Sequence, residues 1–211
     1  MEILREIAAE LERGEDEKVR ILTQSALGQK VEASTILNEG LIAGMEVVGR
    51  RFGAHEIFLP DVLLAARAMN AGLAVLEPHL GQGDVVTRGK VVIGTVQGDL
   101  HDIGKNLVGI MLAGAGFEVI DLGKDVSPRK FVDTARESGA DVIGMSALLT
   151  TTMPVMRQVV SLLKKERLDA SVRTVIGGAP VTEEYAREIG ADAYGFDAAN
   201  AVERVKTLVG H

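Results

Sequence analysis

Hydrophobic positions keep a helical period over roughly the first eighty residues of this chain, then change to short, near-continuous runs. Ile3, Leu4, Ile7 and Leu11 share one helical face, and Gly14 stops that helix. Glu15, Asp16 and Glu17 open a second helix with acids where its dipole favours them. Val19, Leu22, Ala26 and Leu27 form its stripe as far as Gly28. A third helix is predicted from about Ala33 to Arg51, through Ile36, Leu37, Leu41, Met45 and Val48. RFGAHEIFL reads as a loop, and Pro60 suits the first position of a fourth helix. That helix runs through Val62, Leu63, Ala66, Met69, Leu73 and Leu76 to Pro78. Four helices with short connections predict a four-helix bundle over residues 1–80, with the Met and Leu stripes as its core.

Residues 81–90 carry glycines without an apolar period and read as a linker. From residue 91 onward VVIGTV, FEVIDLG, DVIGMSAL, RTVIGGAP and AYGFDA are candidate strands. Helical stretches alternate with them: Ile103–Ala115, Pro128–Glu137, Met153–Glu166, Thr182–Glu188 and Ala198–Leu208. Strands apolar on both faces, alternating with helices, predict a parallel sheet with right-handed crossovers. Five such units over residues 91–211 predict a flavodoxin-like α/β domain with strand order 2-1-3-4-5.

Composition narrows the function. The chain is 46% hydrophobic and 25% charged, with a net charge of −7. That acidic balance argues against nucleic acid as a partner, and aromatic residues at 3% supply no stacking platform. The absence of cysteine removes disulfides, thiolate metal sites and cysteine nucleophiles, and fits a reducing cytoplasm. No apolar run approaches the ~20 residues needed to cross a bilayer, and the acidic N-terminus does not read as a signal peptide. The basic run Lys164–Arg167 reads as a solvated helix end.

In parallel sheets of this kind ligands bind beyond the carboxyl ends of the strands. Strand 1 opens there into Gly98, Asp99, Leu100, His101 and Asp102. Other strands end in Leu122-Gly123, Ser146-Ala147, Gly177-Gly178-Ala179 and Gly195, small residues that leave room for a slot. The segment is not a dinucleotide fingerprint, which needs GxGxxG. It is not a P-loop, because five residues rather than four separate Gly98 from Gly104-Lys105, and Asn106 replaces Ser or Thr. A phospho-receiver needs an aspartate where strand 3 has Met145-Ser146-Ala147-Leu148. None of His55, His79, His101 and His211 makes a paired metal spacing. A single histidine does suffice for a metal that brings its own equatorial ligands, in haem or in a corrinoid. Asp99 is placed to accept the other imidazole N–H of His101 and fix its tautomer.

Asp99-x-His101-x-x-Gly104, Ser146-x-Leu148 and Gly177-Gly178 together resemble the DxHxxG…SxL…GG pattern of methylcobalamin-type corrinoid-binding domains. GDLHDIGKN, IGMSALLT and VIGGA match in context and order. MEVVGRRFGAHEIFLP and ARAMNAGLAVLEP resemble the helical cap joined to that domain in methionine synthase. A cap plus corrinoid domain of this length resembles the shuttle proteins of methanol, methylamine and methoxyaromatic methyltransferase systems.

The resemblance implies a cobalamin or related cobamide, cycling between methyl-Co(III) and Co(I). His101 is implied as the lower axial cobalt ligand, Asp99 as its hydrogen-bond acceptor, and Thr152 as the next hydroxyl of a proton relay. Gly98, Leu100, Asp102, Ile103 and Gly104 belong to the same cofactor-binding loop. Ser146, Leu148, Thr150, Gly177, Gly178 and Ala179 match the lining of a slot for the nucleotide tail, which side chains larger than Ala at Gly177 or Gly178 would block. Phe52 and Leu59 match cap residues over the methyl-bearing face. The implied activity is methyl carriage between a substrate-specific methyltransferase and an acceptor methyltransferase, with tetrahydrofolate or a thiol as acceptor. The alternatives are a cobalamin-dependent sensor, a detached methionine-synthase-like module and an adenosylcobalamin mutase subunit.

Overall fold

The computed structural model describes residues 2–80 and 87–210. The chain divides into two compact units that change over between Thr87 and Arg88, with Gly114–Gly116 grouped with the first. The predicted linker falls largely on residues 81–86, outside the described residues, and the first strand begins one residue early, at Lys90.

The first unit is helical. It contains α1 (Glu2–Glu12), α2 (Asp16–Gly28), α3 (Ala33–Thr35), α4 (Ala43–Gly53) and α5 (Leu59–Leu76). Leu4, Ile7, Leu11, Val19, Ile36 and Leu41 form much of its core. Gly72 lets α5 approach closely, because a Cβ there would lie 2.7 Å from Leu41. The backbone N–H of Phe58 donates to Asp61 Oδ2 at 2.8 Å, which fixes the start of α5 one residue before Pro60. Two features depart from the sequence reading. The predicted third helix is interrupted by a π-helical segment, Ile36–Ile42, whose Gly40 lies against Ile7. Leu59–His79, 21 residues with a mean hydropathy of 1.4, is long and apolar enough to cross a membrane by length and composition. Its buried positions Val62, Ala65, Met69, Gly72 and Leu76 recur every three or four residues, the spacing of a bundle core helix.

The second unit holds β1 (Lys90–Thr95), α6 (Ile103–Gly114), β2 (Glu118–Asp121), α7 (Pro128–Ser138), β3 (Val142–Ser146) and α8 (Pro154–Lys165). β4 (Arg173–Gly177), α9 (Glu183–Ile189), β5 (Ala193–Gly195) and α10 (Ala198–Val209) complete it. All pairings are parallel and the order is β2-β1-β3-β4-β5, as the pattern predicts. β1 and β3 are buried along nearly their whole length, which is why their apolar runs are continuous. Alternation along β1 sends Gly94 toward Phe131 of α7 and Ile93 toward Gly109 of α6, so these helices cover opposite faces. Ser127, Thr182 and Asp197 cap α7, α9 and α10 with their side-chain oxygens.

Phe131 is fully buried, and any Cβ at Gly94 would sit 2.8 Å from its ring. Replacing Phe131 with Ala therefore opens a cavity between α7 and β1. The expected loss, about 3–5 kcal/mol, is measurable as a lower urea midpoint.

Candidate functional site

The carboxyl end of β1 meets two constraints. Thr95, fully buried, donates its hydroxyl to the His101 carbonyl at 3.0 Å, folding the following loop back on the strand. Gly98 then takes φ +84°, a left-handed conformation that favours glycine, and the Asp99 N–H returns to the Val96 carbonyl at 3.1 Å. The result turns the Asp99 side chain inward and leaves His101 exposed.

Asp99 has no solvent exposure. Its Oδ1 accepts the His101 backbone N–H at 3.1 Å and pairs with the imidazole Nδ1 at 2.8 Å. Its Oδ2 accepts the Leu148 N–H at 2.7 Å, the Leu149 N–H at 3.1 Å and the Thr152 hydroxyl at 2.9 Å. Burial by itself raises the pKa of such a carboxyl. The hydrogen bonds from His101, Leu148 and Thr152 outweigh it and hold Asp99 well below the usual carboxylate range. An ionised Asp99 only accepts, so Nδ1 carries the imidazole proton. In the neutral ring the lone pair is then on Nε2, which has no hydrogen-bond partner among the described residues. With a side chain 53% exposed, His101 presents a fixed, outward-facing nitrogen base.

The structure brings some of the sequence-predicted residues together and keeps others apart. His101, Asp99 and Thr152 come together as one hydrogen-bonded chain. Gly98 and Asp102 shape the loop, the latter by accepting the Asn106 N–H at 2.8 Å, while Leu100, Ile103 and Leu148 project into solvent. Gly104, Ser146, Gly177, Gly178 and Ala179 line a cavity of about 340 Å³ that opens at the strand ends. Thr150 is exposed in the turn after β3 and is not among the residues lining that cavity. Phe52, in α4, and Leu59, the first residue of α5, are half-buried within the helical unit.

The glycine pair meets a second constraint besides lining the cavity. A Cβ at Gly178, where φ is +123°, would lie 1.9 Å from the Ala147 carbonyl oxygen, and one at Gly177 would lie 2.8 Å from the Gly195 oxygen. Even Ala collides there with backbone, so these glycines first permit the strand ends to approach. Gly104 is the opposite case: it lines the cavity and nothing lies within 4 Å of its virtual Cβ.

Several site residues escape the sequence reading. Leu149 contributes only its backbone N–H, which carries no side-chain signal. Asp125 adopts φ +58°; its Oδ1 accepts the Gly98 N–H at 2.7 Å and its own N–H donates to the Asp99 carbonyl at 3.1 Å. Lys105, 4% exposed, lines the cavity, and its ammonium donates to Asp121 and, at 2.6 Å, to Asn106 Oδ1. Phe196 and Asp197 also line the cavity. Among the described residues of the second unit, the exposed large apolar side chains are Leu100, Leu148, Leu149 and Phe196, in loops that follow β1, β3 and β5, and Ile103, the first residue of α6. Among the described residues no three His, Asp or Glu side chains gather to hold a metal ion by themselves.

A helical unit thus precedes a doubly wound sheet whose strand ends carry both an exposed imidazole and an apolar cavity, the arrangement of a ligand-binding protein. The chain belongs to the B12-binding-domain family: residues 89–206 match one B12 binding domain and residues 3–77 match a second. It is 42% identical over 213 residues to a corrinoid protein of Desulfitobacterium hafniense strain Y51, spanning 100% of this chain and 99% of that one. It is 44% identical over 209 residues to dimethylamine corrinoid protein 1 of Methanosarcina acetivorans, covering 99% and 98% of the two chains. The methanol:cobalamin methyltransferase complex of Methanosarcina barkeri contains a chain that superposes with a TM-score of 0.91 at 29% identity, over 99% of this chain and 80% of that one.

The Asp99 network predicts a pH-dependent contribution to stability. An unfolded aspartate titrates near 3.9, so the stabilisation is complete above that value and is lost as pH falls through it toward the depressed folded value. Asp99→Asn lacks this contribution. Its deficit against wild type in urea unfolding should be largest at neutral pH, about 2 kcal/mol or more, and should narrow below about pH 4. Asp125→Ala should cost about 1–2 kcal/mol in the same assay, while Asp125→Asn, which tolerates left-handed backbone and keeps an acceptor oxygen, should retain most of it.

Proposed function

We propose that this chain is a corrinoid methyl carrier, working between a methyltransferase that supplies the methyl group and another that consumes it. When bound, the corrinoid supplies a cobalt centre that takes up and gives away a methyl group. The observation that carries the reading is the free Nε2 of His101, held in one tautomer by a fully buried carboxylate.

The residues fit such a group. A nitrogen base without neighbouring protein ligands suits a metal whose equatorial positions are already filled. The cavity, about 340 Å³, has room for a nucleotide-sized tail and none for the macrocycle, which would be left to the exposed Leu100, Ile103, Leu148 and Leu149. Those four leucine and isoleucine side chains are costly in water and gain from being covered. Burial of a tail among Ile93, Val108, Val175 and Ala201 contributes several kcal/mol at roughly 25 cal/mol per Å².

The proton logic belongs to the chain's own atoms. A corrinoid bound here would be held by His101 Nε2, and Asp99 would stabilise positive charge drawn onto the ring. Thr152, bonded to Asp99 Oδ2, extends the chain of groups through which that charge would be balanced. Phe52 and Leu59 are proposed to shield the opposite face of the ring, a role drawn from the methionine synthase cap resemblance. The donor is chosen by the partner methyltransferase: relatives of similar identity are named for dimethylamine and for trimethylamine.

Reconstitution with a cobamide tests this directly. The wild-type chain should take up colour, and its paramagnetic cobalt state should show coupling to a polypeptide nitrogen. His101→Ala should abolish that coupling while tail burial retains the corrinoid. Gly104→Leu, which fills open space without a backbone clash, should weaken uptake at least tenfold in a folded protein. A chain that never takes up corrinoid, or an unchanged spectrum in His101→Ala, would overturn the proposal.

A further inference from the structure

Phe196 combines two properties that conflict unless something covers it. It lines the strand-end cavity, and it is 67% exposed. The segment that carries it is short and held at both ends. Gly195, buried, ends β5, and a Cβ there would lie 2.8 Å from Ala201 of α10. Asp197 caps α10 by accepting the Asn200 N–H at 2.7 Å. One residue therefore bridges a strand end and a helix cap, and its backbone has little freedom. In a chain with five phenylalanines and no tryptophan, this ring is held at the mouth of an apolar cavity.

Single exposed apolar side chains are common on protein surfaces. Phe196 differs because the hydrocarbon surface it adjoins is concave: Ile176, Val175, Ala198 and Ala201 share the same cavity. A ligand group seated there brings its own face against the ring, and a planar aromatic group gains most, through offset or edge contacts.

We propose that Phe196 is a specificity-determining residue that closes over the nucleotide tail of the corrinoid and recognises its aromatic base. This rests on the corrinoid reading above and deepens it, since it separates recognition of the tail from ligation of the metal. Phe196 lines the cavity offered to the tail, so its removal should act on corrinoids that possess a tail.

The full chain is titrated by equilibrium dialysis with two probes: a complete cobamide carrying a benzimidazole base, and cobinamide, the same ring without the nucleotide. Phe196→Ala should weaken the complete cobamide at least tenfold and leave cobinamide within twofold of wild type. Phe196→Tyr, which keeps the ring, should restore the complete cobamide to within about threefold. Thermal melts of the unloaded variants, which remove an exposed side chain, should match wild type. Equal weakening of both probes, or an unchanged affinity for the complete cobamide, overturns the role of Phe196 and leaves the corrinoid reading intact. Failure of the wild-type chain to bind either probe overturns both.

Discussion

A single buried carboxylate sets the geometry of this site. Asp99 gathers donors from its own loop, at His101, and from the loop after β3, at Leu148, Leu149 and Thr152. A charge without solvent contact is tolerable only when its acceptor sites are filled. Three of the five donors are backbone N–H groups, so the two loops must keep their conformations for the charge to remain satisfied. The imidazole inherits its orientation from that requirement. Position, tautomer and exposure of His101 thus follow from one electrostatic demand rather than from local packing.

The sheet makes that demand possible. β1 and β3 are neighbours because the order reverses at β1, which brings their strand-end loops side by side. The Val96 N–H reaches the Ser146 carbonyl at 3.0 Å and extends the pairing past the strand end, just short of Asp99. Phe131 fills the volume under Gly94 on one face of β1, while Ile93 meets Gly109 on the other. Site and core are therefore one construction. The cavity lies on the α6 and α10 side, where Gly104, Gly144 and Gly195 keep the walls thin.

Much of this was legible in the sequence, and the exceptions share a cause. Continuous apolar runs gave away the buried parallel strands, and the small residues at their ends marked the cavity side. Asp99 and His101 were readable as a pair because only Leu100 separates them. Thr152 came only through resemblance, since it stands 53 positions after Asp99. Leu149 was invisible because its donor is main chain. Asp125 and Phe196 sit in loops whose conformations, left-handed in one case and clamped in the other, carry no periodicity. Gly177 and Gly178 were assigned to making space for a ligand, yet their first constraint is carbonyl oxygen from neighbouring segments. The π-helical turn at Ile36–Ile42 was hidden because its apolar positions fit an α-helix equally well.

The Thr152 hydroxyl lies 2.9 Å from Asp99 Oδ2 and 2.8 Å from the Leu149 carbonyl oxygen, and it has one hydrogen to give. While the carboxyl is ionised, the two acceptors compete for it and one contact is left without a bridging hydrogen. Rotation of one hydroxyl hands that hydrogen from the buried charge to the carbonyl without moving a heavy atom. Thr152 is thus a swivel between two acceptors, and the charge keeps its main-chain donors whichever way the swivel points.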